Sequence, residues 1–235
     1  MSQSARQAVL DGIRASLRRG PLPPETAAVL DTRLSRPEPN VVPAIALGDR
    51  RTLVARFLAA AEAAAATTQR VPPGEEGAAV ADFLRAHALP AAVAVAADPR
   101  LDGLAAAPML CVTRRGADHG APTDADRVGV SHALAGLAET GTLLLASGPE
   151  CPATLNMLPD VHVVVVRALD VVGGLEDGWD RLRRHAGAAP LPRTVHLVTG
   201  PSRTGDIEQT LQLGAHGPRR LHIVLIDDDP AAIRA

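Results

Sequence analysis

The sequence contains no lysine and no tyrosine, and all 24 of its basic residues are arginine. Without lysine there can be no Schiff-base lysine and no phosphate-loop lysine. Aromatic side chains are almost missing: Phe57, Phe83 and Trp179 are the three among 235 residues. A platform for stacking nucleic-acid bases has no material here, and the core must be built from Val, Leu, Ile and Ala. The two cysteines, Cys111 and Cys151, stand in unrelated contexts. Two thiols without a CxxC supply neither a disulfide framework nor an iron–sulfur motif. No apolar run approaches the roughly 20 residues needed to cross a bilayer. Arg6, Asp11 and Arg14 break up the stretch where a signal peptide would need an apolar centre. A net charge of -2 lacks the footprint of a nucleic-acid binder. These absences predict a cytoplasmic protein with no membrane span and no nucleic-acid partner.

What is present is apolar and periodic. At 46% hydrophobic residues the chain can bury a substantial core. Val9, Leu10, Ile13 and Leu17 fall at helical spacing within residues 5–19, and Gly20-Pro21 ends that helix. Residues 21–47 carry six prolines and read as a connecting arm. Asp49 can cap a second helix, whose apolar face is Leu53, Val54, Phe57, Leu58 and Ala61 and which runs to about Thr67. Glu75 and Glu76 open a third helix that runs to about Ala88.

From there strands alternate with turns and helices. Strands are predicted over 91–96, 109–113, 127–130, 142–146, 161–166, 194–199 and 221–226. Helices are predicted from Ser131 through Ala138, over 175–185 and over 205–213. Near-continuous apolar strands between helices predict a sheet covered on both faces, parallel at least in part. The expected organisation is an N-terminal helix and Pro-rich arm over 1–44, followed by an α/β domain over 45–235.

Three segments carry the chemistry: Ala138-Glu139-Thr140-Gly141-Thr142, Thr199-Gly200-Pro201-Ser202-Arg203-Thr204-Gly205-Asp206-Ile207-Glu208, and His216-Gly217-Pro218-Arg219. The Gly200–Asp206 loop follows an apolar strand and is expected to open a helix, whose free N–H groups and dipole favour an anion. Ser202 and Thr204 add hydroxyls, and Arg203 adds a fork of donors suited to carboxylate or phosphate. The plainer reading is a capped helix with Arg203 in solvent. Glu139 beside Gly141 could serve as a general base or nucleophile, or simply be solvated. Topology decides its position. If strands 142–146 and 194–199 are parallel, Glu139 lies across the sheet from Gly200, and Ser131, His132 and Ser147-Gly148 share the loop's edge. An antiparallel pair reverses this. His216 could move protons near neutral pH, whereas His196 and His222 lie within strands and read as packing residues. No histidine spacing supports zinc. Cys151 has no identified base, and Asp227-Asp228-Asp229 reads as a solvated strand end.

In this order and spacing the three segments, with Leu158-Pro159-Asp160-Val161-His162, resemble the lactate utilisation protein C family (LutC/YkgG, the LUD domain) over roughly residues 45–228. Gly205 departs from the alanine more usual there. The resemblance implies a Rossmann-like fold, a largely parallel sheet flanked by helices, related to sugar-phosphate isomerases and CoA transferases. It implies a part in oxidising L-lactate to pyruvate beside iron–sulfur subunits. With so few cysteines here, the clusters and any redox cofactor are expected in those partners. The expected site holds an anionic small molecule on Gly200, Ser202, Arg203 and Thr204, with Glu139 and His216 as catalytic candidates and no metal. The alternative is a stand-alone isomerase or transferase acting on a phosphorylated or CoA-linked molecule.

Overall fold

A computed structural model describes residues 3–18, 20–116, 126–204 and 212–229. The chain divides into two compact units, Met1–Val41 and Val42–Ala235. The first holds helix α1 (Gln3–Ser16), as its periodicity predicts, and helix α2 (Pro24–Ser35). The second helix lies where six prolines predicted only an arm. Pro23 and Pro24 stand at its start, where a missing N–H costs nothing, and the rest of Pro24–Ser35 is free of proline.

The second unit is built on a six-stranded sheet in the order β1-β12-β7-β4-β2-β3, and every pairing in it is parallel. Its strands are β1 (Thr67–Val71), β2 (Ala92–Ala96), β3 (Cys111–Arg115), β4 (Val128–His132), β7 (Val161–Arg167) and β12 (Arg220–Ile226). β7 and β12 pair over their full lengths at the centre, from Arg220↔Val161 to Ile226↔Arg167. Their side chains are almost all buried, which is why both strands read as apolar runs. Helix α4 (Glu76–Ala86) packs on one face through Val80, Phe83 and Leu84. Helix α3 (Arg50–Ala63) contributes Leu53, Val54, Phe57 and Ala61 to the core on the other, with Val164, Val166, Ile223 and Leu225. Asp49 caps α3, accepting from Thr52 N–H at 2.8 Å.

A second sheet, in the order β8-β5-β6-β9, comprises β5 (Ala135–Leu137), β6 (Thr142–Ala146), β8 (Val171–Val172) and β9 (Val195–Val198). β6 alternates between two cores. Leu143 and Leu145 join the α3 core, while Leu144 joins Leu137 and Leu182 of helix α5 (Leu175–Ala186). β6 is antiparallel to both β5 and β9. A two-stranded antiparallel ribbon pairs β10 (Arg203–Thr204) with β11 (Gln212–Leu213).

Three expectations are corrected. The helix predicted from Ser131 through Ala138 is the end of β4 followed by β5. Its residues are buried on both sides, so the spacing of Leu134 and Leu137 mimics a helical face. Helix α3 ends at Ala63 rather than near Thr67, because Ala65 takes a positive φ of 69° and the chain turns into β1. Of the helix predicted over 205–213, residues 205–211 lie outside the described residues, and Gln212–Leu213 are strand.

Candidate functional site

The antiparallel pairing of β6 with β9 decides which segments meet. Leu143 faces Val198 and Ala146 faces Val195. The Glu139–Thr142 turn therefore lies beside Gly200, and the conditional placement that put them on opposite edges is overturned. Thr142 and Thr199 share a hydrogen bond between their hydroxyls at 2.7 Å, and Thr140 reaches Thr142 at the same distance. Ser147 sits at the other end of β6, accepting from Thr194 N–H through Oγ at 3.0 Å.

The loop after β9 is held by backbone. Gly200 has φ +72°, and a Cβ there would overlap the Ala64 carbonyl at the end of α3. Only glycine fits that close approach in that conformation. Ser202 N–H donates to Pro218 O at 2.9 Å, and Gly214 N–H donates to Ser202 O at 2.8 Å. The motif loop and the His216-Gly217-Pro218 segment are thereby tied together, next to the starts of β1, β7 and β12.

Between them lies a cavity of about 230 Å³. Thr199, Gly200, Pro201 and Ser202 line one side, and His216, Gly217 and Pro218 another. Asn156, Met157, His162 and Leu221 also line it, with Leu197 and Val198. No Arg, Asp or Glu is among the described lining residues. Asn156 and His162 are each 1% exposed. Asn156 Nδ2 meets His196 Nδ1 at 3.2 Å, and His162 Nε2 meets Ser131 Oγ at 2.7 Å. Burial, with a smaller contribution from His196, pushes the His162 imidazole down to about 3, so it is neutral at physiological pH.

Of the residues singled out from sequence, Gly200, Ser202 and His216 line the cavity; Arg203, Thr204 and Glu139 do not. Arg203 is exposed and donates through Nη2 to Ala64 O at 3.0 Å. Thr204 pairs with Gln212 in the ribbon. Glu139 Oε1 accepts from Leu175 N–H at 3.0 Å, so its carboxylate covers the first turn of α5. Asn156 and His162 were not among the sequence candidates. A histidine inside Val161-His162-Val163-Val164 is the signal that could have found one of them, since a polar residue in a fully buried strand needs a partner.

The opposite edge of the parallel sheet is rich in ion pairs. Asp227 meets Arg70 at 2.7 Å, Asp228 meets Arg167, and Asp229 meets Arg50 at 3.4 Å, so the three carboxylates are paired rather than solvated. No group of three metal-ligating side chains occurs among the described residues. Burial works against the charge of Asp98, but hydrogen bonds from Arg100 hold its carboxyl below the usual range. His132 Nδ1–H donates to Ala133 O at 2.7 Å, and burial together with Arg100 pushes its imidazole down to about 4. Cys151 is buried, and that burial, reinforced by Asp98, pushes its thiol up to about 11. A thiol this reluctant to ionise is a poor nucleophile.

The sequence profile of the LUD domain matches residues 124–226, a span that includes both loops of the cavity, Asn156 and His162. That segment is similar to the LUD domain. The chain's relatives match over stretches of similar length. A Neisseria meningitidis protein without a described role is 40% identical over 101 residues, covering 43% of this chain and 42% of that one. Lactate utilization protein C of Bacillus subtilis is 30% identical over 102 residues, covering 43% and 42%. YkgG of Escherichia coli is 30% identical over 115 residues, covering 48% and 50%. The match thus spans half or less of each of these relatives. The crystal structure of a DUF162 family protein from Deinococcus radiodurans superposes with a TM-score of 0.55 at 20% identity, covering 77% of this chain and 99% of that one. At that identity the likeness establishes the fold, a mostly parallel α/β sheet flanked by helices. No described helix is long and apolar enough to cross a membrane.

Proposed function

We propose that this chain is a component of a lactate-utilising system that oxidises L-lactate to pyruvate, and that it works without a redox cofactor of its own beside iron–sulfur subunits in the cytoplasm. Its part is to hold a small anionic molecule in the cavity between the Gly200–Ser202 loop and His216–Pro218. The observation that carries the reading is this cavity. It is formed by segments inside the stretch that matches the LUD domain, and relatives named lactate utilization protein C are similar to this chain over a stretch of about that length. Two cysteines cannot supply the four thiolates of a cluster, which supports placing any iron–sulfur cluster in partners.

Within the cavity, the chain's own groups bind and orient. Ser202 brings a hydroxyl, and His216, at the loop, brings an imidazole. The alternative, a stand-alone enzyme for phosphorylated or CoA-linked molecules, calls for a cation facing the phosphate. No arginine is among the described lining residues, and Arg203 donates to Ala64 O.

The test is lactate-dependent dye reduction by anaerobically reconstituted iron–sulfur subunits, with and without this chain. The expected result is activity that requires it. Equal lactate oxidation in its absence would overturn the assignment, and turnover of a sugar phosphate by the isolated chain would favour the alternative.

A further inference from the structure

The floor of the cavity is polar, buried and uncharged. Asn156 Oδ1 and His162 Nδ1 are buried and have no hydrogen-bond partner in the protein. The remaining polar atom of each side chain is engaged, Asn156 Nδ2 with His196 and His162 Nε2 with Ser131. A buried polar atom left unmatched is costly, and of the five such atoms among the described residues these two belong to side chains that line one cavity. The neutral His162 ring offers Nδ1 as an acceptor or a donor, according to which way its bond to Ser131 is directed. A phosphate pressed against this floor would bury charge with no arginine among the described lining residues. A hydroxyl group would donate to Asn156 Oδ1 and complete the hydrogen bonding of His162.

We propose that Asn156 and His162 are the specificity-determining pair of this cavity, and that its ligand is a small compound that turns a hydroxyl group, not a phosphate, toward them. The inference rests on reading the cavity as a ligand site. A carboxylate on the same molecule is accommodated toward Ser202 and His216, which are the more open side of the lining.

The experiment titrates the full chain calorimetrically with L-lactate, with propionate, which differs from it by the hydroxyl, and with inorganic phosphate. Propionate should bind about tenfold more weakly than lactate, because it leaves the floor unmatched, and phosphate more weakly still. Asn156→Leu should narrow the difference between lactate and propionate; because it also removes the Asn156–His196 contact, its thermal midpoint is measured alongside. The ¹⁵N resonance of His162 Nδ1 should shift with lactate and not with propionate. Equal binding of lactate and propionate by the unmodified chain, tightest binding of phosphate, or no saturable binding of the three overturns the inference, and none of these readings needs a variant to fold. If reconstituted lactate oxidation requires the chain while lactate and propionate bind alike, this inference fails and the functional reading stands. If the chain discriminates by the hydroxyl but lactate oxidation does not need it, this inference stands and the functional reading fails.

Discussion

Gly141 holds φ at +65° where the chain leaves β5, and a Cβ on it would overlap the backbone of Ala60 and Ala61 in α3. Both the left-handed conformation and the close approach demand glycine. Gly141→Ala should cost roughly 2–5 kcal/mol, read as a lower midpoint in urea unfolding at unchanged slope; wild-type stability would contradict the packing described. The buried histidines set a pH dependence at the same scale. Burial lowers His162 to about 3, and lowers His132 and His222 to about 4, helped by Arg100 and His87 respectively. His222 also stacks on Phe83 with ring centroids 4.0 Å apart. These rings are neutral when folded but titrate near 6.5 when unfolded. Below about pH 6.5 the unfolded chain binds more protons, so stability falls as pH drops toward about 4. Thermal midpoints measured across that window should decline steadily, and a flat profile would refute the burial of these rings. At this scale the sequence showed which residues were unusual but not where they pointed. His162 was visible as a polar break in an apolar strand, yet its pairing with Ser131 depends on β4 lying beside β7.

Helix α5 shows why a motif residue can be structural. Glu139 accepts from Leu175 N–H, and Asp177 Oδ2 accepts from Gly174 N–H at 3.1 Å, so two carboxylates serve one helix start. Glu139→Ala should cost about 1 kcal/mol, with fraying visible as faster amide exchange in the first turn of α5. Unaltered exchange there would mean the carboxylate is not a cap. Elements with a clear apolar run or helical period were readable: β2, β6, β7, β12, α4 and α5 lie within two residues of expectation. Elements that obey other rules were not. β1 is an edge strand, Thr-Thr-Gln-Arg-Val, with no apolar alternation to announce it. β5 is three small or apolar residues buried on both faces, where period 2 and period 3.6 cannot be told apart.

At the scale of the molecule, strand direction was the information the sequence lacked. A parallel sheet was legible from its apolar strands, but the direction of β9 against β6 is set by a long connection through α5 and left no local signal. That one pairing brings the Gly200 loop, the Thr140–Thr142 turn and His216–Pro218 to a common edge, and so makes the cavity. It also places the motif loop over the amino ends of the parallel strands, the edge opposite the one where open α/β sheets usually bind ligands. The arm's α2 buries none of its residues, so its amphipathic partner α1 was the readable half of that unit.

The functional reading stands on this cavity being the part of the chain that lactate oxidation uses. Ser202→Trp would fill it while leaving the backbone bonds of Ser202 to Pro218 and Gly214 in place. The decisive measurement is lactate-dependent dye reduction by the reconstituted system carrying this variant, with its thermal midpoint checked against the unmodified chain. The expected result is a folded protein and loss of most of the activity. A folded variant that sustains full lactate oxidation would contradict that reading.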